Sequence, residues 1–243
     1  MKFLPFPPIL FWGMLTLTFM TFWACSEVEE PLPAPIPEVP EEPPPPTTYT
    51  FLSLGDSYTI GQGVAEDQRW PNQLGERLKA NGRDVTEVNI IAQTGWTTTD
   101  LLTAIENEDP GNHDLVSILI GVNNQFQGYS FSIFETEFDE LINIAINLAG
   151  GRGNVIVVSI PDYGVTPFGA SNSQQIAEEI DAYNNYIADY CASAVIPFID
   201  VTGISRDLGD TEMALAPDNL HPSGFQYGQW VEEILPTVLS ILE

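Results

Sequence analysis

The sequence predicts an α/β fold, a three-layer α/β/α sandwich around a five-stranded parallel sheet. Short apolar segments rich in β-branched residues recur after residue 48, and segments with helical periodicity separate them. Nearly continuous apolar runs are typical of strands that are buried on both faces of a parallel sheet. Regular alternation of such strands with helices, joined by right-handed crossovers, gives a doubly wound sandwich.

The predicted strands are apolar runs bounded by turn residues, and they cover residues 49–54, 85–91, 115–120, 155–160 and 195–201. The predicted helices have helical periodicity and cover residues 70–80, 98–106, 131–148, 174–192 and 224–242. In open sheets of this class, ligands bind beyond the carboxyl ends of the strands. We therefore expect the chemically active residues to follow the strands directly.

The first 24 residues have the pattern of a signal peptide. Lys2 precedes an apolar run over residues 9–24, which is shorter than the roughly twenty residues that a bilayer span requires. The run ends at Cys25, and this junction resembles a bacterial lipoprotein signal, in which the cysteine becomes acylated after cleavage. An uncleaved anchor and cleavage without a lipid are the alternatives, and all three predict an extracytoplasmic domain.

The segment after Cys25 is predicted to be a disordered spacer. Residues 26–48 contain nine prolines, several glutamates and no aromatic residue. Such a segment cannot bury enough apolar surface to fold, and its prolines favour extended polyproline II. The sequence thus divides into a signal peptide (1–24), an acylated cysteine with a Pro/Glu-rich spacer (25–48) and a folded domain (49–243), held at the outer membrane or cell surface by lipid.

The charge balance excludes several classes of partner. The chain carries 34 acidic and 7 basic residues, a net charge of −27. Binding to nucleic acid or to an anionic membrane surface requires clusters of Lys and Arg, so we expect membrane contact through the lipid anchor only. Two histidines and two cysteines do not make the usual zinc site or a disulfide framework. We predict no metal site.

Ser57 follows the first predicted strand, within Gly55-Asp56-Ser57. The glycine permits a sharp turn, and backbone N–H groups point outward at the start of the next segment. A serine at this place can act as a nucleophile if a neighbouring base takes its proton. Taken alone, Gly-Asp-Ser is also a common turn sequence.

Asp218 and His221 lie three residues apart, just before the last predicted helix. This spacing lets the carboxylate hold one ring nitrogen of the imidazole while the other nitrogen faces the serine. The second histidine, His113, precedes the third predicted strand and therefore lies at the opposite end of the sheet. A capping loop with a surface histidine is the alternative interpretation of this segment.

Two turns after strands offer hydrogen-bond donors. Gly95 follows the second predicted strand and Asn123 follows the third. The Gly95 N–H and the Asn123 amide can both donate toward the Ser57 loop, where acyl transfer develops an oxyanion; loss of one such donor typically costs about 3–4 kcal/mol. Each position taken singly also fits an ordinary turn after a buried strand.

In this order the four blocks resemble the SGNH or GDSL hydrolase family of esterases and lipases, named for its serine, glycine, asparagine and histidine. The resemblance spans essentially all of residues 49–243 and implies the flavodoxin-like fold of that family. It also implies a catalytic triad of Ser57, Asp218 and His221. One departure concerns the third block, which often reads Gly-x-Asn-Asp but here has Asn124 in the last place.

The resemblance assigns the oxyanion hole to the N–H groups of Ser57 and Gly95 and to the side chain of Asn123. It implies a serine esterase that hydrolyses carboxylic esters, lysophospholipase-like or acyl-esterase-like, through an acyl-enzyme intermediate and without metal or organic cofactor. A carbohydrate O-acetyl esterase is one alternative. An inactive lipid- or carbohydrate-binding module is an alternative from another class.

Aromatic residues after two strands are candidates for the wall of the substrate pocket. Tyr163 and Phe168 follow the fourth predicted strand, and Phe126 follows the Asn123 block together with Tyr129 and Phe131. Loop aromatics that cover the core are the alternative interpretation. We expect a monomer that acts on a small or polymer-linked ester.

Overall fold

The computed structural model describes residues 48–243, so the predicted signal peptide, Cys25 and nearly all of the spacer lie outside the described residues. Its five strands pair in parallel in the order β2-β1-β3-β4-β5. This arrangement confirms the predicted five-stranded parallel sheet. The strands are β1 (Thr48–Gly55), β2 (Asp84–Ala92), β3 (Leu115–Leu119), β4 (Val155–Val158) and β5 (Phe198–Ile199).

The helices of the described residues are α1 (Ser57–Ile60), α2 (Trp70–Ala80), α3 (Thr98–Glu108), α4 (Val122–Phe126), α5 (Phe131–Leu148), α6 (Ser173–Ala194), α7 (Thr202–Leu208) and α8 (Gly224–Ile241). Helix α2 packs against α8, whereas α5 packs against α3 and α6. Between residues 48 and 243, none of these helices has the length and apolarity of a membrane span.

The apolar runs are explained by burial on both faces of the sheet. Every residue of β3 and β4 is buried, and so are the last five residues of β1. The two polar side chains within this core satisfy each other, because the hydroxyls of Ser53 and Ser117 on adjacent strands lie 2.8 Å apart. A buried hydroxyl without such a partner would destabilise the sheet by roughly 1–3 kcal/mol.

The fifth predicted strand is wrong over most of its length. Helix α6 continues to Ala194, and Val195 ends it in the left-handed conformation with φ 57°. The β-branched residues at this point suggested a strand, but Pro197 has no N–H to donate to a ladder. Only Phe198 and Ile199 then pair with β4, at the edge of the sheet.

Strands β1 and β3 are neighbours in the sheet. The strand β2 lies on one side of this pair, whereas β4 and β5 lie on the other. Gly55 at the end of β1 lies opposite Leu119 at the end of β3. A Cβ atom at Gly55 would come within 2.5 Å of the Leu119 carbonyl oxygen, so only glycine permits this approach. The crevice beyond these two strand ends is where such folds bind ligands.

Candidate active site

Ser57 is the first residue of α1, directly beyond β1. The helix begins here because the Asp56 side chain caps it, with Oδ1 accepting a hydrogen bond from the Tyr58 N–H at 3.0 Å. It ends after one turn at Gly61, which has φ 71°. Because Ser57 stands at the helix start, its backbone N–H has no partner within the helix.

Asp218 and His221 form an oriented pair on the loop before α8. Asp218 Oδ2 lies 2.7 Å from His221 Nδ1, while Oδ1 accepts from the backbone N–H groups of Leu220 and His221, both at 3.0 Å. Asn219 makes this tight loop possible by adopting φ 58°, a conformation that asparagine tolerates. With Nδ1 donating to the carboxylate, Nε2 carries the lone pair that a general base needs.

The environment keeps the Asp218 carboxyl ionised. Partial burial acts to raise its pKa, but hydrogen bonds from the His221 ring and from the two backbone N–H groups outweigh that effect. The pKa of Asp218 is therefore lowered below its usual value. An ionised carboxylate stabilises the imidazolium that forms when His221 accepts a proton.

Tyr58 supports the imidazole from the side, a contact that the sequence analysis did not identify. Its ring meets the His221 ring edge-on, with centroids 5.8 Å apart, and also contacts Trp230 of α8 at 6.3 Å. His221 is consequently only 8% exposed. No spacing along the chain indicates this contact, because Tyr58 is on α1 and His221 is on the loop before α8.

The two predicted donors face the same crevice from neighbouring loops. Gly95 has φ 88°, and Gln127 Nε2 donates to its carbonyl oxygen at 3.0 Å. Among residues 48–243, no hydrogen bond engages the Gly95 N–H. One N–H of the Asn123 amide donates to the Trp96 carbonyl at 2.9 Å, which fixes the amide and leaves its second N–H available.

These residues enclose a cavity of about 230 Å³. The predicted residues that line it are Ser57, Gly95, Asn123, Phe126, Tyr163, Phe168 and His221. The lining residues that were not predicted are Tyr58, Thr94, Val122 and Leu220. Within the described chain the Ser57 hydroxyl makes no hydrogen bond to His221; such bonds are often long before substrate binds.

Two other candidates for the wall, and the histidine that the sequence excludes from the site, lie elsewhere. Phe131 is not part of the wall, because it packs against Tyr183 of α6 with ring centroids 4.8 Å apart. Tyr129 is 43% exposed and does not line the cavity. His113 lies at the opposite end of the sheet, where its backbone N–H donates to Leu148 and Nε2 lies 3.0 Å from Asn89 Nδ2. The sequence expectation for His113 is confirmed.

Comparison with known proteins places the chain in a family. Residues 53–227 match the GDSL-like lipase/acylhydrolase family. An arylesterase of Vibrio mimicus is 28% identical over 117 residues, which are 47% of this chain and 57% of that protein. The chain thus spans little more than half the length of this curated relative.

Solved structures share the fold. The crystal structure of TesA superposes with a TM-score of 0.61 and 20% identity, covering 79% of this chain and 99% of that one. Axe2, an acetylxylan esterase from Geobacillus stearothermophilus, gives 0.59 and 22%, covering 78% and 94%. The match over residues 53–227 leads to one conclusion: the chain belongs to the GDSL-like lipase/acylhydrolase family.

Proposed function

We propose that the protein is a carboxylic ester hydrolase and that Ser57, His221 and Asp218 form its catalytic triad. The observation that carries the proposal is the 2.7 Å contact between Asp218 Oδ2 and His221 Nδ1, made beside a cavity that Ser57 and His221 share. The carboxylate holds the imidazole so that Nε2 can accept the serine proton. Gly95 and Asn123 line the same cavity with available N–H groups, as an oxyanion hole requires.

The proposed reaction has two acyl-transfer steps. His221 Nε2 takes the proton of Ser57 as its oxygen attacks the ester carbonyl, and the N–H groups of Ser57, Gly95 and Asn123 stabilise the oxyanion. His221 then gives the proton to the departing alcohol, which leaves an acyl-enzyme. Water repeats the sequence on the acyl-enzyme and releases the acid.

We propose simple acyl esters as substrates rather than lysophospholipids. The cavity of about 230 Å³ is lined on one side by Phe126, Tyr163 and Phe168, an apolar surface that accommodates a compact acyl or alcohol group. The arylesterase and the acetylxylan esterase among the similar proteins support the same preference. Carbohydrate O-acetyl esterase activity is the second candidate, supported by the acetylxylan esterase among the similar structures.

The test is hydrolysis of p-nitrophenyl acetate, butyrate and palmitate by the purified protein and by its Ser57→Ala variant. We expect the acetate and butyrate to react fastest and Ser57→Ala to lose roughly a thousandfold or more in kcat. Ser171→Ala, which changes an exposed serine outside the cavity, is the matched control. If the wild-type protein acts on none of these esters or on acetylated xylan, the binding-module alternative replaces the esterase.

The pH dependence of the rate supplies a second test. An imidazolium cannot accept the serine proton, so the rate should fall on the acid side and level off at neutral to alkaline pH. The measurement is kcat/KM for p-nitrophenyl acetate from pH 5 to 8. A rate that is constant over this interval would contradict the role of His221.

We further propose that Cys25 is acylated and tethers the domain outside the cytoplasm. The support is the apolar run that ends at Ala24-Cys25 and the proline-rich segment after it. The test is labelling of expressing bacteria with a clickable palmitate analogue, followed by membrane fractionation. The label and the membrane association should both disappear in Cys25→Ala; retention of both in this variant would exclude a lipid at Cys25.

A further inference from the structure

Three aromatic rings contact one another along one side of the proposed active site. The ring centroid of Phe126 lies 6.2 Å from that of Tyr163 and 5.7 Å from that of Phe168, and the last two lie 6.3 Å apart. Phe126 is 56% exposed and Phe168 is 53% exposed. Large apolar side chains exposed together in this way are typical of a binding surface.

The third ring of the cluster, that of Tyr163, is held in place by hydrogen bonds. The Tyr163 hydroxyl donates to Gln125 Oε1 at 2.9 Å, and Gln125 Nε2 donates to Glu179 at 2.5 Å. The preceding residue, Asp162, is fixed by an ion pair with Arg206 at 2.8 Å. A wall positioned in this way does not have to be ordered when a ligand binds, which improves affinity and discrimination.

Acidic side chains outnumber basic ones around the cluster. Among the described residues that line the cavity there is no lysine or arginine. The Glu179 carboxylate lies behind the cluster at Gln125, whereas Arg206 is engaged by Asp162 and Asp181. Residues 49–243 carry 28 acidic and six basic side chains, so the surrounding potential is negative and repels anions.

We propose that the cluster of Phe126, Tyr163 and Phe168 is the subsite for the variable group of the ester, and that it takes a flat apolar group, uncharged or cationic, while excluding groups that bear phosphate or carboxylate. Ring faces attract cations and pack against other rings, but an anion gains nothing from them. This inference rests on the proposed esterase function and adds the class of substrate and the residues that select it.

The kinetic test compares benzyl acetate with its isomer methyl phenylacetate, each bearing a methyl, trimethylammonio or carboxylate group at ring position 4. Ethyl acetate is the reference substrate, since it has no ring. We expect wild-type kcat/KM to be at least roughly tenfold lower for the carboxylate than for the other two substituents. The isomer that shows this pattern identifies whether the alcohol or the acyl group occupies the subsite.

Substitutions then assign the selectivity to the cluster. In Phe126→Ala and Phe168→Ala, the ratio of kcat/KM for the ring ester to that for ethyl acetate should fall roughly tenfold. Phe225→Ala, an exposed phenylalanine of α8 outside the cavity, should leave this ratio unchanged. An unchanged ratio in the two cluster variants, or equal rates for anionic and cationic esters, would overturn the inference.

Binding without turnover separates the inference from the proposed mechanism. Calorimetric titration of Ser57→Ala with benzyltrimethylammonium and with benzoate reports on the subsite whether or not the protein hydrolyses esters. We expect Ser57→Ala to bind benzyltrimethylammonium and to show no comparable binding of benzoate. The double variant Ser57→Ala/Phe168→Ala should bind the cation more weakly. Preferential binding of benzoate, or cation binding that is indifferent to Phe168→Ala, would reject the subsite even if the esterase assay succeeds.

Discussion

The side chain of Asn124 makes two hydrogen bonds to Thr98. Its Oδ1 accepts from the Thr98 N–H at 3.0 Å, and its Nδ2 donates to the Thr98 hydroxyl at 2.7 Å. The same hydroxyl donates to the carboxylate of Glu137 on α5. Asn124 is fully buried. This chain of hydrogen bonds therefore connects the loop that contains Gly95 with the turn that contains Asn123.

This arrangement suits asparagine at position 124, where the Gly-x-Asn-Asp pattern of the sequence resemblance has aspartate. The Thr98 hydroxyl has one proton, and Glu137 already accepts it. An aspartate at position 124 would compete for that proton and would place a second carboxylate in the buried network. An amide donates instead and satisfies all three groups.

Asn124→Asp is therefore expected to destabilise the protein by about 1–3 kcal/mol, the usual cost of an unsatisfied buried polar group. It should also lower kcat, because Asn123 is the next residue and depends on the same turn. Glu137→Gln should restore much of the stability in the double variant, since the glutamine amide can donate to the hydroxyl and free its proton for Asp. Urea unfolding of the four proteins measures the coupling. Additive effects would contradict the network.

Asp218→Asn separates the orienting role of Asp218 from its structural role. An asparagine retains an Oδ1 that can accept from the backbone N–H groups of Leu220 and His221, so the loop should stay folded. The amide cannot stabilise the imidazolium and favours the wrong tautomer, so kcat should fall by about three to four orders of magnitude. Stopped-flow assays with p-nitrophenyl acetate and thermal unfolding provide the two readouts. A loss of less than roughly tenfold in kcat would remove Asp218 from the proposed triad.

The sequence predicted the meeting of distant residues because parallel strands end at one edge. Ser57, Gly95 and Asn123 each follow a strand, and the structure brings them to one cavity. Strand burial follows a simple apolar pattern, which explains why four of the five strands were predicted closely. The fifth failed because Val195 and Ile196, which follow α6, have the β-branched pattern of a strand although Val195 is the left-handed cap of the helix.

Contacts between side chains from separate elements could not be predicted in this way. Tyr58 beside His221 and Glu137 beside Thr98 depend on how α1, α3 and α5 are placed against the sheet. Neither contact has a spacing along the chain that a sequence pattern detects. The short helices α4 and α7 were missed for a related reason, since five and seven residues are too few to show periodicity.

The buried carboxyl of Asp56 should make stability depend on pH. Burial raises its pKa to about 7, although the Tyr58 N–H and its own N–H oppose the shift, and no hydrogen bond reaches Oδ2 within residues 48–243. The folded protein thus holds a proton that the unfolded chain releases near pH 3.8. The stability from this proton is complete below pH 3.8 and is lost as the pH rises to about 7, a change of up to about 4 kcal/mol.

Asp56→Asn tests this linkage, because an amide keeps the Oδ1 acceptor for Tyr58 and cannot ionise. Relative to wild type, the variant should gain stability steadily between pH 4 and pH 7 and no further above it. Urea unfolding at intervals across this range measures the difference in free energy. A difference that does not vary with pH would show that Asp56 has the same charge in the folded and unfolded states.

Arg206 should contribute more to stability than the exposed Arg77. Arg206 Nε donates to Asp162 at 2.8 Å, and the Asp162 side chain is 2% exposed. The Arg77 pair with Glu232 is about half exposed on both sides. In a fully buried ion pair, removal of one partner lowers the free energy of unfolding by about 3–5 kcal/mol. Because Arg206 is partly exposed, we expect Arg206→Met to lower it by about 2 kcal/mol.

Arg77→Met serves as the matched control, and it should change the free energy of unfolding by about 0–1 kcal/mol. Because Asp162 precedes Tyr163, Arg206→Met should also loosen the aromatic wall and raise KM for ring-bearing esters more than for ethyl acetate. Asp162→Asn removes the unpaired charge, so the double variant should regain much of the lost stability. If Arg206→Met and Arg77→Met lower the free energy of unfolding equally in urea, the Asp162 carboxylate becomes hydrated when its partner is removed. The aromatic wall would then not depend on this ion pair.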